Sequence, residues 1–160
     1  MRIVITGVPG SGKTKIAKEL SKITGWTVLN VGLFIRKNNL VRGISKQTGT
    51  MIVDEVVARS ALAKEISKYD HLIIDTHLSE IIPLELINHV IVLHVPINVL
   101  LRRLKSRGWS QRKIDENILS EMETLYEINP GEKEIHIDVD EKDAETVARE
   151  ILQIIDTTTE

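Results

Sequence analysis

The sequence predicts an α/β fold in which a parallel sheet is covered by helices on both faces. Strand-length apolar runs alternate with helical segments along the 160 residues, which is typical of this class. Two of the runs, HLIID at 71–75 and VIVLHV at 90–95, are almost continuously apolar. This pattern is typical of strands that are buried on both faces of a sheet. Hydrophobic residues make up 42% of the chain and aromatic residues only 3%, so the core should be aliphatic. At this length we expect one domain spanning residues 1–160.

Five strands and six helices are expected in order along the chain. The strands are predicted at 1–6, 27–30, 71–75, 90–95 and 134–138, and the helices at 13–24, 30–37, 54–68, 97–107, 110–128 and 144–155. Gly25 and Gly108 should end helices, Asp54 should begin one, and a polar loop is expected from 38 to 49. Helical spacing places two apolar groups inward, namely Ile16, Ala17, Leu20 and Ile23 in the first helix and Val57, Ala61, Leu62 and Ile66 in the third.

Composition excludes several classes of function. Lysine and arginine total 21 against 23 acidic residues, so the chain lacks the broad positive field of proteins that bind nucleic acid mainly through phosphates. Without cysteine, it has no disulfide, thiol nucleophile or thiolate metal site. The longest uncharged stretch, 86–101, is shorter and more polar than the roughly 20 apolar residues of a membrane-spanning helix. No signal peptide is recognisable, and we expect a cytoplasmic protein without membrane contact.

Residues 7–14, GVPGSGKT, match the phosphate-binding pattern G-x-x-x-x-G-K-[ST] between a predicted strand and a predicted helix. Glycines let the backbone turn so that successive N–H groups face phosphate oxygens, and the positive end of the helix points at the same oxygens. Lys13 would reach the β- and γ-phosphates, and the Thr14 hydroxyl would bind Mg²⁺. The alternative is a glycine-rich turn that merely starts a helix. The strand, the spacing, the lysine and the threonine together favour nucleotide binding.

A second magnesium-binding acid is expected at the end of a neighbouring buried strand. Asp75 closes the run HLIID, where such an acid would fall, although it could instead cap the following turn. Asp70 lies at the other end of that run and is expected to be a turn residue. His77 follows Asp75 by two residues, at the mouth of the predicted site. It could orient a water molecule or the γ-phosphate, or make a simple loop hydrogen bond.

Two segments are candidates for closing over the site. Residues 106–116 would form a lid, because they join two helices, contain Gly108 as a hinge and carry Arg107. Basic side chains flank the stretch 106–110 of that lid, namely Arg102, Arg103, Arg112 and Lys113. Residues 30–53 would cover a second substrate, with Arg36 as the best phosphate contact. Arg36 and Arg103 are the candidate substrate-binding residues. For any single arginine the alternative is a solvated helix end.

Taken together, five stretches resemble one known family. They are GVPGSGKT, LNVGLFIRK, IIDTHLSEIIP, HVIVLHVPINVLLRRLKSRGW and KIDENILSEM. The chain is similar from Arg2 to about Leu152 to the adenylate-kinase-like NTPases of archaea and the eukaryotic nucleus, which act in small ribosomal subunit and 16S rRNA maturation. The resemblance implies a P-loop, adenylate-kinase-like three-layer sandwich with a five-stranded parallel sheet, a monophosphate-binding segment and a short lid.

The same resemblance implies an activity and partners. The activity is phosphoryl transfer from ATP, with Mg²⁺, to AMP or another nucleoside monophosphate, accompanied by ATP hydrolysis. The partners are a small-subunit ribosomal protein, bound transiently, and pre-ribosomal RNA. Residue by residue, it implies that Asp75 and His77 form the catalytic Asp-x-His, that Arg107 is the lid arginine and that Arg36 belongs to the monophosphate segment. Gly10, Gly12, Lys13, Thr14 and Lys15 would line the triphosphate, and Lys142 would approach the adenine.

The chain departs from that family pattern on the acceptor side. The usual Gly-Asp after the second strand is Gly32-Leu33 here, and the usual Leu-Arg at the end of the fourth strand is Leu93-His94. Hydrolysis is therefore a firmer expectation than a particular monophosphate. Three functions stay open: a nucleoside monophosphate kinase with ATPase activity, an ATPase assembly factor that controls a ribosomal-protein contact, and a small-metabolite kinase of the shikimate kinase type.

Overall fold

A computed structural model describes residues 1–47, 49, 51–126 and 133–158. Its strands are β1 (Arg2–Thr6), β2 (Thr27–Asn30), β3 (Val41–Ile44), β4 (Met51–Val53), β5 (Leu72–Asp75), β6 (His89–His94) and β7 (Glu134–Asp138). Its helices are α1 (Lys13–Thr24), α2 (Val31–Lys37), α3 (Glu55–Ile66), α4 (Ile97–Ser106), α5 (Gln111–Tyr126) and α6 (Ala144–Thr158), with 3₁₀ turns at Ser79–Ile81 and Leu84–Leu86.

A five-stranded parallel sheet forms the middle layer, in the order β2-β5-β1-β6-β7. Alternate residues of each strand face opposite sides, and each side buries its own aliphatic cluster. Ile3 and Ile5 pack with α1, α4 and α6 on one face, whereas Val4 packs with α2 and α3 on the other. The predicted α/β three-layer sandwich with a five-stranded parallel sheet is confirmed.

The strand order reverses on either side of β1, and this positions the site. β1 pairs with β5 on one side and with β6 on the other, so the connections that follow β1 and β5 leave the sheet at the same edge. In open parallel sheets, ligands bind outside the carboxyl ends of the strands at such a reversal. The loop 7–14, Asp75 and His77 all lie at this edge.

The polar loop expected from 38 to 49 is wrong in part. Val41–Ile44 and Met51–Val53 form a separate two-stranded antiparallel sheet with a register irregularity between Val41 and Gly43. Gly43 and the short length of each strand conceal the strand pattern in the sequence. One face of this hairpin is half-buried at Val41 and Val53, which pack against the core, whereas Ile44 and Ile52 are exposed.

Most helix predictions agree with the structure to within two residues, and the structure corrects two predicted core positions and one helix end. Val57 is 43% exposed and Ile23 is 38% exposed, because α3 turns Ala58, Leu62 and Ile66 inward and α1 turns Ile16, Ala17 and Leu20 inward. α6 continues to Thr158, beyond the predicted end at Ile155. α5 is described to Tyr126, so its predicted end at 128 lies outside the described residues. Within the described part of the chain, no helix combines the length and hydrophobicity needed to cross a membrane.

Candidate active site

The loop between β1 and α1 has an open anion-binding geometry. Gly12, the residue before α1, has a φ of 87° and leaves the first-turn N–H groups of the helix without a side-chain cap among the described residues. Gly10 has a φ of 90°, and a Cβ there would lie 3.0 Å from Leu100 Cδ1 in α4. A side chain at Gly10 would therefore strain the backbone and crowd Leu100. A loop of this kind, followed at once by an uncapped helix N-terminus, is suited to binding a phosphate through backbone N–H groups and the helix dipole.

Asp75 is buried at the end of β5 and ties three elements together. It is 3% exposed and pairs in register with Ile5 of β1 and with Asn30 of β2. Its Oδ2 accepts a hydrogen bond from Thr14 Oγ1 at 2.8 Å and another from Asn30 Nδ2 at 3.3 Å. Two polar side chains therefore fix the orientation of the carboxylate beside the phosphate loop.

These groups fit a magnesium ion. Mg²⁺ prefers oxygen ligands and is held by one or two protein oxygens together with waters and substrate phosphates, rather than by a cage of side chains. Thr14 and Asp75 supply a hydroxyl and a carboxylate within hydrogen-bond distance of each other. Among the described residues there is no cluster of three or more histidine or acidic side chains that could hold a metal by themselves.

Asn30 is a site residue that sequence analysis missed. Its Oδ1 accepts from Leu33 N at 3.0 Å and caps α2, the role expected from its position before a helix. Its amide also donates to Asp75, which the sequence pattern did not indicate. The available signal was an amide residue ending a strand next to the strand that ends in Asp75.

Lys13 lies at the start of α1 between Asp75 and Arg107. Burial lowers the pKa of its ammonium group, the positive charge of Arg107 lowers it further, and Asp75 acts in the opposite direction. Removal from water thus penalises the positive charge of Lys13 more than its neighbours compensate for it. A polyphosphate bound at this loop would supply the missing negative charge.

His77 stands on the loop that leaves β5. Thr76 N donates to Ile5 O at 3.1 Å, and Thr76 Oγ1 accepts from Leu78 N at 2.8 Å, so both neighbours of His77 are anchored. Desolvation lowers the pKa of the imidazole, the charge of Lys13 lowers it further, and Glu80 and Asp75 oppose this shift. Since the ordinary value is about 6.5, His77 is a neutral hydrogen-bonding group at neutral pH.

Arg103 lines the cleft but makes a contact with the phosphate loop. Its Nη1 donates to Gly10 O at 2.8 Å, from a side chain that α4 holds half-buried. Leu100 and Leu104 of the same helix lie against Gly10. In the structure, Arg103 therefore braces the loop, and its predicted contact with substrate stays a prediction.

The predicted lid begins where α4 ends. Arg107 is exposed, and its guanidinium carbon lies 5.7 Å from the centre of the Trp109 ring. Lys113 Nζ lies 3.8 Å from the same ring. Trp109 itself is half-buried and packs against the core cluster shared with α4. Gly108, with a φ of 71°, reverses the chain between the two helices as predicted.

The remaining predicted site residues lie around one cleft of about 2200 Å³. Arg36 and Lys15 are exposed on its walls. Lys142, after β7, also lines the cleft and binds Glu150 through a 3.0 Å ion pair. Ten of the predicted residues line the cleft, namely Gly10, Gly12, Lys13, Thr14, Lys15, Arg36, His77, Arg103, Arg107 and Lys142. Asp75 is connected to the cleft through its hydrogen bond with Thr14.

A parallel sheet carrying this loop defines a P-loop nucleotide-binding protein. A family model described as an AAA domain matches residues 3–125. A Pyrococcus furiosus protein named "Putative adenylate kinase" is 34% identical over 158 residues, covering 97% of this chain and 84% of that protein. A Methanosarcina barkeri protein of the same name is 31% identical over 161 residues, covering 98% and 86%. The chain therefore belongs to the adenylate-kinase-like P-loop NTPases.

Solved structures share the fold. Shikimate kinase from Acinetobacter baumannii superposes with a TM-score of 0.68 at 20% identity, covering 98% of this chain and 93% of that chain. Deoxyadenosine kinase from M. mycoides superposes with a TM-score of 0.62 at 20% identity, covering 98% and 100%. At these identities the likeness concerns the fold alone. It confirms that the architecture is that of small P-loop kinases.

Proposed function

We propose that this protein is an ATP-dependent nucleoside monophosphate kinase of the adenylate kinase type, converting ATP and AMP to two ADP, with an accompanying ATPase activity. The observation that carries the proposal is the bond from Thr14 to the buried Asp75, beside Lys13 on a phosphate loop. This is the arrangement that holds Mg²⁺ and a triphosphate in P-loop enzymes. The names of the archaeal relatives support an adenylate acceptor.

In this proposal the residues divide the work of phosphoryl transfer. The loop N–H groups and Lys13 bind the β- and γ-phosphates, and Arg107 approaches the transferring group from the lid. The bond between the γ-phosphorus and the β–γ bridging oxygen breaks, and a bond forms to an acceptor oxygen on the opposite side. Mg²⁺, held through Thr14 and Asp75, would neutralise charge that develops on the phosphates.

The acceptor distinguishes the two activities. A monophosphate attacks with an oxygen that is already ionised, whereas water must be oriented and must lose a proton. We propose that His77 orients that water, because its imidazole is neutral, faces the cleft and lies near Lys13. Arg36, on the exposed face of α2, would bind the acceptor phosphate during transfer.

A second candidate function is an ATPase assembly factor for which monophosphate transfer is incidental. Two observations favour it. Leu33, in place of an acid, is 62% exposed and offers no polar contact to an acceptor. His94, in place of an arginine, is buried, and its Nε2 lies 2.6 Å from His136 Nδ1 on the next strand. Transient binding of a small-subunit ribosomal protein, contact with pre-ribosomal RNA and a cytoplasmic location remain proposals drawn from the resemblance.

Product analysis tests the proposed function. Purified protein is incubated with Mg²⁺ and ATP, alone and with each nucleoside monophosphate, and with shikimate and gluconate as small-metabolite acceptors. We expect ADP formation that one monophosphate accelerates, with matching diphosphate product. Hydrolysis that no monophosphate accelerates would favour the assembly factor, and a co-precipitation with ribosomal proteins, with and without ATP, would then test it. A phosphorylated metabolite acid would overturn both.

A further inference from the structure

Six of the basic side chains in or near the cleft differ in the partners that they contact. Arg102, Arg112 and Lys142 each have a carboxylate partner, in Glu141 at 3.7 Å, Glu116 at 3.4 Å and Glu150 at 3.0 Å. Lys13, Arg107 and Lys113 have no carboxylate partner within ion-pair distance among the residues that the structure describes. All three of this second group line the cleft.

Lys113 contacts an aromatic ring where the other group of cations contacts carboxylates. Its ammonium nitrogen lies 3.8 Å from the Trp109 ring centre, within the range of a close cation–π contact. The backbone of Lys113 is fixed, since its N–H donates to Ser110 Oγ at 3.3 Å and its carbonyl accepts from Asn117 Nδ2 at 2.7 Å. Trp109 is fixed by packing against the core. The long lysine side chain is therefore the part of this contact that can move.

A ring and a carboxylate hold a lysine differently. A carboxylate neutralises the charge and competes with any anionic ligand, whereas a ring positions the charge and leaves it largely uncompensated. A phosphate oxygen forms a charge-assisted hydrogen bond with an ammonium group, which is stronger than a contact with a ring face. Lys113 can accordingly exchange Trp109 for phosphate at little cost.

We infer that Lys113 is a second phosphate-binding cation of the lid, beside Arg107, and that Trp109 is a positioning residue that holds it at the cleft. This inference rests on the proposed function, because the ligand class is the triphosphate of a nucleoside triphosphate. It adds a residue to the site and explains why an aromatic side chain stands between two lid cations.

Binding of a non-hydrolysable ATP analogue with Mg²⁺, measured by calorimetry, tests the inference. We expect Lys113→Gln to weaken binding about tenfold, equivalent to about 1.4 kcal/mol. The matched control is Arg112→Gln, which removes one positive charge from the adjacent residue. Arg112 does not line the cleft, so the affinity of this variant should stay within about twofold of that of the unmodified protein. Lys113→Arg, which keeps the charge, should restore most of the affinity.

The salt dependence and fluorescence of the same proteins separate ligand contact from a structural role. Lys113→Gln should reduce the slope of log Kd against log salt concentration, because one fewer cation meets phosphate. In a Trp26→Phe background, Trp109 emission should change when the analogue binds, and Lys113→Gln should remove most of that change. Trp109→Leu should weaken analogue binding about threefold, and Trp109→Phe, which keeps an aromatic ring, should weaken it less. If Trp109 acts by holding Lys113, Trp109→Leu should cost less affinity in a protein that already carries Lys113→Gln.

Two results would overturn the inference in distinguishable ways. If the unmodified protein binds the analogue and folded Lys113→Gln binds it equally well with the same salt slope, Lys113 does not contact phosphate, and the proposed function is untouched. If the unmodified protein does not bind the analogue at all, the proposed function fails and this inference fails with it.

Discussion

Two regions of the cleft are built in different ways: the phosphate-loop side, and the closing side formed by the predicted segments 30–53 and 106–116. On the loop side, Asp75 is buried and bound to Thr14 and Asn30, and Arg103 holds Gly10 from α4. On the other side, Arg36 and Arg107 are exposed and stand on a seven-residue helix and at a helix end. The first half is organised before a substrate arrives, whereas we propose that the exposed cations of the second half reach their working positions when these segments close.

This difference predicts two kinds of mutational effect. Substitutions on the loop side should reduce every activity that uses ATP, because all of them need the same bound triphosphate. Substitutions on the closing side should separate one kinetic parameter from another, because their contacts form at particular steps.

Lys13→Ala should reduce both ATP hydrolysis and phosphoryl transfer by a hundredfold or more. Loss of the cation removes stabilisation of developing charge on the phosphates, typically about 3–4 kcal/mol for one such group. Steady-state assays of both activities measure the effect, with circular dichroism to confirm the fold. Lys22→Ala, an exposed residue of α1 paired with Glu19 at 2.8 Å, is the matched control and should change neither activity. Near-normal turnover by folded Lys13→Ala would remove Lys13 from the site.

Arg107→Ala should lower turnover at saturating ATP by ten- to a hundredfold, a larger change than its effect on ATP affinity. The side chain lies at the end of α4, near enough to lower the pKa of Lys13, and should reach the phosphates fully when the lid closes. Analogue affinity and turnover are compared with those of Lys105→Ala, on the same helix. Weaker affinity with unchanged turnover would make Arg107 a binding residue alone.

His77→Ala should reduce ATPase activity about tenfold and AMP-dependent transfer much less, because only hydrolysis needs an oriented water. If His77 merely packs its loop, both rates should fall together with the melting temperature. Measuring the two rates and the melting temperature on one preparation distinguishes these outcomes. Equal losses with lowered stability would leave the kinase without a water-orienting histidine.

The same residue predicts a pH dependence. Its pKa is lower in the folded protein than the ordinary value of about 6.5. In the acidic range the folded state therefore binds fewer protons at His77 than the unfolded state does. The neutral imidazole contributes stability that is present above pH 6.5 and is lost as the pH falls through the lowered pKa. ATPase activity should decline over the same acidic range, and His77→Ala should flatten that decline. An unchanged acidic limb in folded His77→Ala would assign the titration to another group.

Arg36→Ala should raise the KM for the monophosphate up to about tenfold and leave ATP hydrolysis within about twofold. Arg36 is exposed on α2 and lines the cleft, so its charge is available to an acceptor. Initial rates at varied AMP measure the effect. Arg42→Ala, on β3, is the matched control, since Arg42 is absent from the lining of the cleft. An equal rise for both variants would indicate a general charge effect.

The loop side is also the half that could be predicted from the sequence. Phosphate chemistry requires glycines, a lysine and a hydroxyl at set spacings, and a continuous apolar run marks the strand that ends in Asp75. The hairpin β3–β4 was missed because each strand is four residues or fewer and one contains Gly43. The bonds from Asn30 to Asp75 and from Arg103 to Gly10 join residues 45 and 93 positions apart, and local patterns carry no such information.

The burial of Ser11 in the phosphate loop could not be predicted from the loop pattern. Its substitution should have the smallest effect of those considered, and that effect is on stability. Ser11 is 1% exposed, and its Oγ has no hydrogen-bond partner among the described residues. This Oγ lies within the loop, 2.8 Å from where a Cβ on Gly7 would stand. A buried hydroxyl without a partner costs about 1–3 kcal/mol of desolvation. Removal of that hydroxyl should therefore stabilise the fold.

Ser11→Ala should raise the melting temperature by about 2–4 °C, the shift expected for about 1 kcal/mol in a chain of this size. Ser21→Ala is the matched contrast, because Ser21 Oγ donates to Trp26 O at 2.7 Å and its loss should lower the melting temperature. Thermal unfolding with and without the ATP analogue then shows whether the hydroxyl serves the ligand. An equal nucleotide-induced shift in Ser11→Ala and the unmodified protein would make Ser11 purely a structural cost. A smaller shift in Ser11→Ala would mean that the hydroxyl gains a partner when nucleotide binds, and that the preorganised half of the cleft still completes one bond on binding.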